Sequence, residues 1–236
     1  MSTLIQHLKQ SDSQFAKHLL KFAKRLYFFE LPRCRWLFSP LNRLVSALAL
    51  GVEAVGRIFF YTPRFKAVLS NDPRGIYLYS GMPQVLGSLK ITVGDNTRIS
   101  GISTFSGRSA TQPTPELVIG SNVDIGWQNT IAVGTKVVIE DNVRLAGRVH
   151  LAGYPGHPVE PQARAMGLPD LDAQAKDIIL QQDVWLATGV TVLAGVTIGK
   201  GSIIAAGSVV TKDIPAGVLA GGNPARVIKS LESNHD

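Results

Sequence analysis

The chain has 236 residues, 45% hydrophobic and 17% charged, the proportions of a globular protein with a sizeable core rather than a disordered or fibrous one. Its net charge of +7 is uneven: residues 1–66 hold eleven Lys/Arg against Asp12, Glu30 and Glu53, a balance of +8, whereas residues 67–236 hold thirteen against fourteen, a balance of −1. The basic character therefore belongs to an N-terminal arm, and the near-neutral remainder argues against a nucleic-acid partner. Cys34 is the only cysteine, which excludes an internal disulfide and fits a reducing, cytoplasmic setting.

The opening stretch MSTLIQHLKQSDSQ lacks the apolar core of a secretory signal. Beyond it, Phe15, Leu19, Phe22, Leu26 and Phe29 recur at four- and three-residue steps, the spacing of one helical face, while Lys17, Lys21, Lys24 and Arg25 fall mostly elsewhere. A cationic amphipathic helix of this kind suits an anionic membrane surface. The same face would equally pack on the repeats or on a neighbouring subunit. Pro32 and Pro40 are expected to end it, with a second apolar stretch running from Leu41 to Tyr61. The longest uncharged apolar run, Leu44 to Val52, is too short to span a bilayer, so any association is expected to be peripheral, on the inner face of the cytoplasmic membrane. The arm is assigned residues 1–88.

Residues 89–229 repeat every six. Val93, Ile99 and Phe105 hold the register first, then Ile119 and Ile125, then Ile139, Leu145 and Leu151. The cleanest run is Val184 to Ile214, where Leu186, Val192, Ile198, Ile204 and Val210 carry the aliphatic position. Neither a lone strand, with period 2, nor a helix, with period 3.6, returns to one residue type every sixth place. A fixed short period means a solenoid whose repeats stack to bury a continuous apolar column. Short extended runs with small residues at the corners describe a mainly β chain, a parallel β-helix of triangular section. Two segments break the period: 106–117, and the proline-bearing 152–177, which is read as a functional loop because both its flanks return to the repeat. Residues 230–236 form a tail.

The stretch DVWLATGVTVLAGVTIGKGSIIAAGSVVTKDIPAGVLAGGNPARVIK, from Asp183 to Lys229, resembles the C-terminal signature of the hexapeptide-repeat acyltransferases, nearest the maltose and galactoside O-acetyltransferases. That resemblance implies a left-handed coil, a homotrimer, and acetyl-CoA lying in the groove between two subunits. It implies no metal. The family's catalytic His-Pro corresponds to His157–Pro158, and neutral imidazole suits removal of a hydroxyl proton during acyl transfer. His150, at the end of LAGRVH, is the rival base. By the same resemblance Trp185 stands beside the acceptor pocket, and Arg164 and Met166 sit in the loop lining it. Thr188 and Ala206 line the CoA arm, Thr211 and Lys212 lie near its adenine end, and Arg226 and Lys229 near its phosphates.

The sequence also departs from those sugar enzymes. Where they carry two asparagines two residues apart, this chain has Gly126 and Gln128, with Asn129 beside them, and a nearby acidic position is Gly134. Gln128 and Asn129 are therefore taken as altered acceptor contacts. The long arm looks more like that of bacterial envelope and exopolysaccharide acetyltransferases. The expected activity is transfer of acetyl to a sugar hydroxyl of a cell-surface polysaccharide or its lipid-linked precursor. An N-acetyltransferase of amino sugars and a non-catalytic binding solenoid are the alternatives. A zinc carbonic anhydrase on this coil needs three histidines, and only His150 and His157 lie in the repeats.

Overall fold

The six-residue period resolves into three parallel sheets in the computed structural model of the chain, which describes residues 13–109 and 113–231. The first face stacks β1 (Tyr77–Tyr79), β4 (Arg98–Ser100), β7 (Asp124–Ile125), β10 (Arg144–Leu145), β13 (Trp185–Leu186), β16 (Ile203–Ile204) and β18 (Val218–Gly222). The second stacks β2 (Gln84–Leu86), β5 (Thr104–Gly107), β8 (Thr130–Val133), β11 (His150–Ala152), β14 (Thr191–Leu193) and β17 (Val209–Val210). The third stacks β3 (Lys90–Val93), β6 (Glu116–Ile119), β9 (Lys136–Ile139), β12 (Ile178–Leu180) and β15 (Thr197–Ile198). A final strand, β19 (Ala225–Ser230), returns antiparallel to β18.

Register explains the period. Each turn places the same hexad position over its predecessor, so Ile99, Ile125, Leu145, Leu186 and Ile204 form one column on the first face. All five are at most 2% exposed. Burying one such side chain contributes about 1.5–3 kcal/mol, which is why the aliphatic slot tolerates little but Ile, Leu and Val. The turns close at tight corners, two of which carry left-handed residues in successive turns. One corner column runs Asn96, Asn122, Asn142 and Asp183; the other runs Gln128, Arg148, Gly189 and Gly207. Asparagine and aspartate tolerate this region, and here they also link turns: Asn122 Nδ2 donates to Asn142 Oδ1 at 2.8 Å, and Asn142 Nδ2 to Asp183 Oδ1 at 2.9 Å.

The coil starts earlier than residue 89. β1 and β2 already pair with β4 and β5, and Leu69 bridges to Ile91. The turn YLYSGMPQVLGS escapes the six-residue pattern because its inward residues, Leu78, Met82, Pro83 and Val85, are not aliphatics six apart.

Contacts divide the chain into two units, one ending at Leu48 and the other beginning at Ala49. The arm holds α1 (Gln14–Tyr27), α2 (Arg35–Gly56), one turn of π-helix (Arg57–Tyr61) and α3 (Thr62–Lys66). In α1 the stripe of Phe15, Leu19, Phe22 and Leu26 is exposed, and Phe29 falls just beyond the helix. Pro40 does not end a helix but lies inside α2, in its second turn, where its missing N–H costs one backbone bond. The expectation that no segment is long enough to cross a bilayer also fails on length. The helical run Arg35–Lys66 is 32 residues long with mean hydropathy 1.6 in its most apolar window, enough to cross by length and composition alone. Arg43 and Glu53 delimit an uncharged run without interrupting the helix.

Candidate active site

The loop 152–177 leaves the coil at the end of β11 and returns at the start of β12. Its two ends are stitched together by Lys176 N–H donating to Gly153 O at 3.1 Å, and to the coil by Thr135 Oγ1 donating to Asp177 Oδ1. Its middle is held by a residue from outside it. Arg108, just after β5 and 3% exposed, donates from Nε to Asp170 Oδ1 at 3.0 Å, from Nη2 to Asp170 O at 2.6 Å, and from Nη1 to Asp172 Oδ1 at 2.6 Å. Burial opposes the guanidinium charge, but the bonds to Asp172 and Asp170 outweigh it and hold Arg108 above its ordinary pKa. Arg108 sits in the period-breaking segment SGRSATQPTPEL, and its role emerges only from the pairing of two breaks that lie 62 residues apart.

His157 lies on this loop with its side chain exposed, while the following Pro158 is buried. Just after it, α4 (Pro161–Ala165) is capped by Glu160, whose carboxylate accepts from Gln162 N–H and Ala163 N–H. Arg164, expected to face the acceptor, instead turns back and donates from Nη1 to Pro158 O and Val159 O. It braces the backbone carrying His157. Met166 is 69% exposed at the end of α4. At the root of the loop a depression of about 290 Å³ is lined by Ala152, Tyr154, Pro155, Gln174, Leu193 and Ala194.

His150 occupies β11 on the second face, between Thr130 and Thr191 in register. Burial pushes its imidazole below its ordinary value of 6.5, favouring the neutral form.

The remaining expected residues lie elsewhere on the prism. Trp185 is 47% exposed on the first face, between Arg144 and Ile203. Thr188 and Ala206 are exposed at the corner between the first and second faces. Trp127, which the sequence reading passed over, shares their column: Trp127, Gly147, Thr188 and Ala206 stack turn on turn. Trp127 covers Gly147 so closely that a Cβ there would meet its Nε1 at 2.9 Å. Gln128 is exposed at the adjoining left-handed position. Asn129 is not an acceptor contact in this geometry. It is 1% exposed, and its amide group spans turns, accepting from Val149 N–H at 2.6 Å and donating to Gly126 O at 3.0 Å. Thr211 and Lys212 are exposed after β17, and Arg226 and Lys229 are exposed on β19. Within one chain the His157 loop stands between the second and third faces, whereas Thr188 and Ala206 line the corner between the first and second.

Residues 177–212 match the family described as bacterial transferase hexapeptide (six repeats). That stretch holds nearly all of the cleanest run of the six-residue repeat. The chain's backbone also superposes on a solved structure of AntD, an N-acyltransferase from Bacillus cereus in complex with dTDP-4-amino-4,6-dideoxyglucose and coenzyme A. The TM-score is 0.58 at 18% identity, over 73% of this chain and 89% of that one. The hexapeptide coil is therefore a left-handed parallel β-helix. In sequence the chain is 38% identical over 140 residues to the galactoside O-acetyltransferase of Escherichia coli K12, covering 59% of this chain and 64% of that protein. It is 41% identical over 122 residues to the polysialic acid O-acetyltransferase of Escherichia coli O1:K1 / APEC, covering 47% of this chain and 37% of that protein. The chain thus spans less than two thirds of the length of the curated relatives it matches.

Proposed function

We propose that the protein is a CoA-dependent acyltransferase that moves an acetyl group from acetyl-CoA to a sugar hydroxyl. The observation that carries this reading is the exposed imidazole of His157 on a loop that Arg108 and Arg164 fix to a left-handed hexapeptide coil. The likeness to two O-acetyltransferases of sugars and polysaccharides supports the acceptor class. In this mechanism neutral His157 takes the acceptor's hydroxyl proton as its oxygen attacks the thioester carbonyl. The C–S bond breaks, CoA thiolate leaves and is protonated, and the ester stays on the sugar. The only cysteine, Cys34, lies in the arm, so direct transfer between the two bound substrates is favoured over an acyl-enzyme. Lys212, Arg226 and Lys229 supply positive charge for the donor's phosphates.

Because the loop and the Thr188–Ala206 corner stand on different edges of one coil, the reading places the complete site between two copies, in a homotrimer. The exposed apolar stripe of α1, with Lys17, Lys21, Lys24 and Arg25 mostly elsewhere on the helix, supports a further element: attachment to the inner, anionic face of a membrane, where a lipid-linked polysaccharide precursor would be the acceptor. Free-thiol release from acetyl-CoA in the presence of candidate glycans, followed by the acceptor's mass shift, tests the activity. No acceptor-dependent thiol release across hydroxyl sugars, with release on amino sugars alone, would refute O-transfer.

A further inference from the structure

Among the described residues the most apolar exposed helix is not α1 but α2, and its pattern specifies how it meets its surroundings. At 100° per residue, Arg35, Ser39, Asn42, Ser46 and Glu53 fall within one narrow arc of the helix, with Arg43 at its edge. The opposite side carries Leu37, Leu41, Leu44, Leu48, Val52 and Val55, each at least 46% exposed. No residue of α2 is buried. Polar groups confined to one stripe along 22 residues are not what a bilayer-crossing helix presents. If Arg35–Gly56 alone stood upright in a membrane, Arg43 would sit within about 4 Å of its midpoint, and if the whole run Arg35–Lys66 did, Glu53 would, at the depth where charge is least tolerated.

The flanks point the same way. Lys17, Lys21, Lys24, Arg25 and Arg33 precede α2, and Arg57, Arg64 and Lys66 follow it. A crossing helix normally has one basic flank and one that is not. Two basic flanks fit two ends on the same anionic surface. At the last turns of α2 the polar residue faces the coil: Glu53 accepts from Ser80 N–H at 2.9 Å, in the coil's first turn. The apolar side of that last part of the helix, Val52 and Val55, is 73% and 58% exposed.

We propose that α2 is a monotopic anchor. It lies in the plane of one anionic leaflet, its Leu and Val side in the acyl boundary, its Arg35–Glu53 stripe among the headgroups, and both ends on the coil's side. This placement is independent of the transferase reading and is scored by lipid binding alone.

Ser46 and Leu48 provide the test. Both lie near the middle of α2, so a crossing helix would bury them to similar depth, yet they point about 200° apart. In full-length Cys34→Ser protein, single cysteines Ser46→Cys and Leu48→Cys are labelled with an environment-sensitive fluorophore. The proteins are added to preformed phosphatidylcholine/phosphatidylglycerol vesicles and to phosphatidylcholine alone. The anchor predicts a blue shift at position 48 that appears with anionic vesicles, with quenching by shallow lipid-borne quenchers. Position 46 stays several-fold more accessible to aqueous iodide. Equal protection of both positions, with deep quenchers most effective, would mean a crossing helix and overturn the proposal. A shift at position 48 that needs no lipid and grows with protein concentration would overturn it in favour of a second copy of this chain.

Discussion

Replacing Arg108 by methionine should release the His157 loop while leaving the coil folded. Arg108 and Asp170 are 3% and 5% exposed at their side chains, and Asp170 Oδ2 already lacks a partner among the described residues. Removing one member of such a pair strands a buried charge, at a cost of about 3–5 kcal/mol. Asp170 has a cheaper escape than coil unfolding: the loop lifts and the carboxylate reaches water. The penalty therefore appears as local opening. At about 1.4 kcal/mol per decade, the open population should rise roughly 10²-fold to several thousand-fold.

Amide hydrogen exchange reads this directly. The Lys176 and Ala175 N–H groups, bonded to Gly153 O and Asp172 O, should exchange faster by that factor in Arg108→Met. The Val149 N–H, bonded to the buried Asn129 inside the coil, should not change. A second variant, Arg108→Met with Asp170→Asn, should recover much of the protection by removing the stranded charge. If Lys176 and Val149 lose protection together, the pair supports the whole coil and is not a loop latch. If neither changes, the pair contributes nothing and the reasoning fails.

The proposed base is checked by thiol release: His157→Ala should lose about 10²–10⁴-fold in turnover while binding free CoA as before, and an inactive His150→Ala beside an active His157→Ala would reverse the assignment. His150 carries a separate expectation for stability. Its folded pKa lies below the unfolded value, so its contribution is complete above pH 6.5 and is lost as pH falls through the folded value. Wild type should therefore lose more stability to urea between pH 7.5 and pH 5.5 than His150→Gln does, and equal losses would contradict the burial argument. Neutralising Lys212, Arg226 or Lys229 should raise the KM for acetyl-CoA without touching that for the acceptor, which steady-state kinetics at fixed acceptor will show. Leu186→Ala, at a 0% exposed position of the first face, should cost about 2–5 kcal/mol in urea unfolding.

The coil was legible wherever one aliphatic residue per hexad had to fill one column, and it faded where the inward residues were not aliphatics six apart, as in the first turn at Tyr77–Leu86. The loop was legible as a break in period. What anchors it was not, because Arg108 and Asp170 meet through the fold and neither sits in a local motif. Asn129 shows the opposite failure. A polar residue beside a resemblance-derived pocket position reads as a ligand contact, yet the corner turns it inward to satisfy backbone groups. In the arm, two isolated charges broke a hydropathy run on paper without breaking a helix.

The two ends of the prism are finished differently from its middle. At one end Phe65 of α3 is fully enclosed and joins the aliphatic core; at the other, β19 runs back against β18 and reverses the strand direction. A stack of identical rungs has no intrinsic length, and each bare terminal rung is a template for another chain. The aromatic stopper and the reversed strand make this molecule a finite object instead of a growing fibre. Cutting the chain after Gly222 would uncover the β18 rung, and end-to-end adhesion of coils should follow long before any coil melts.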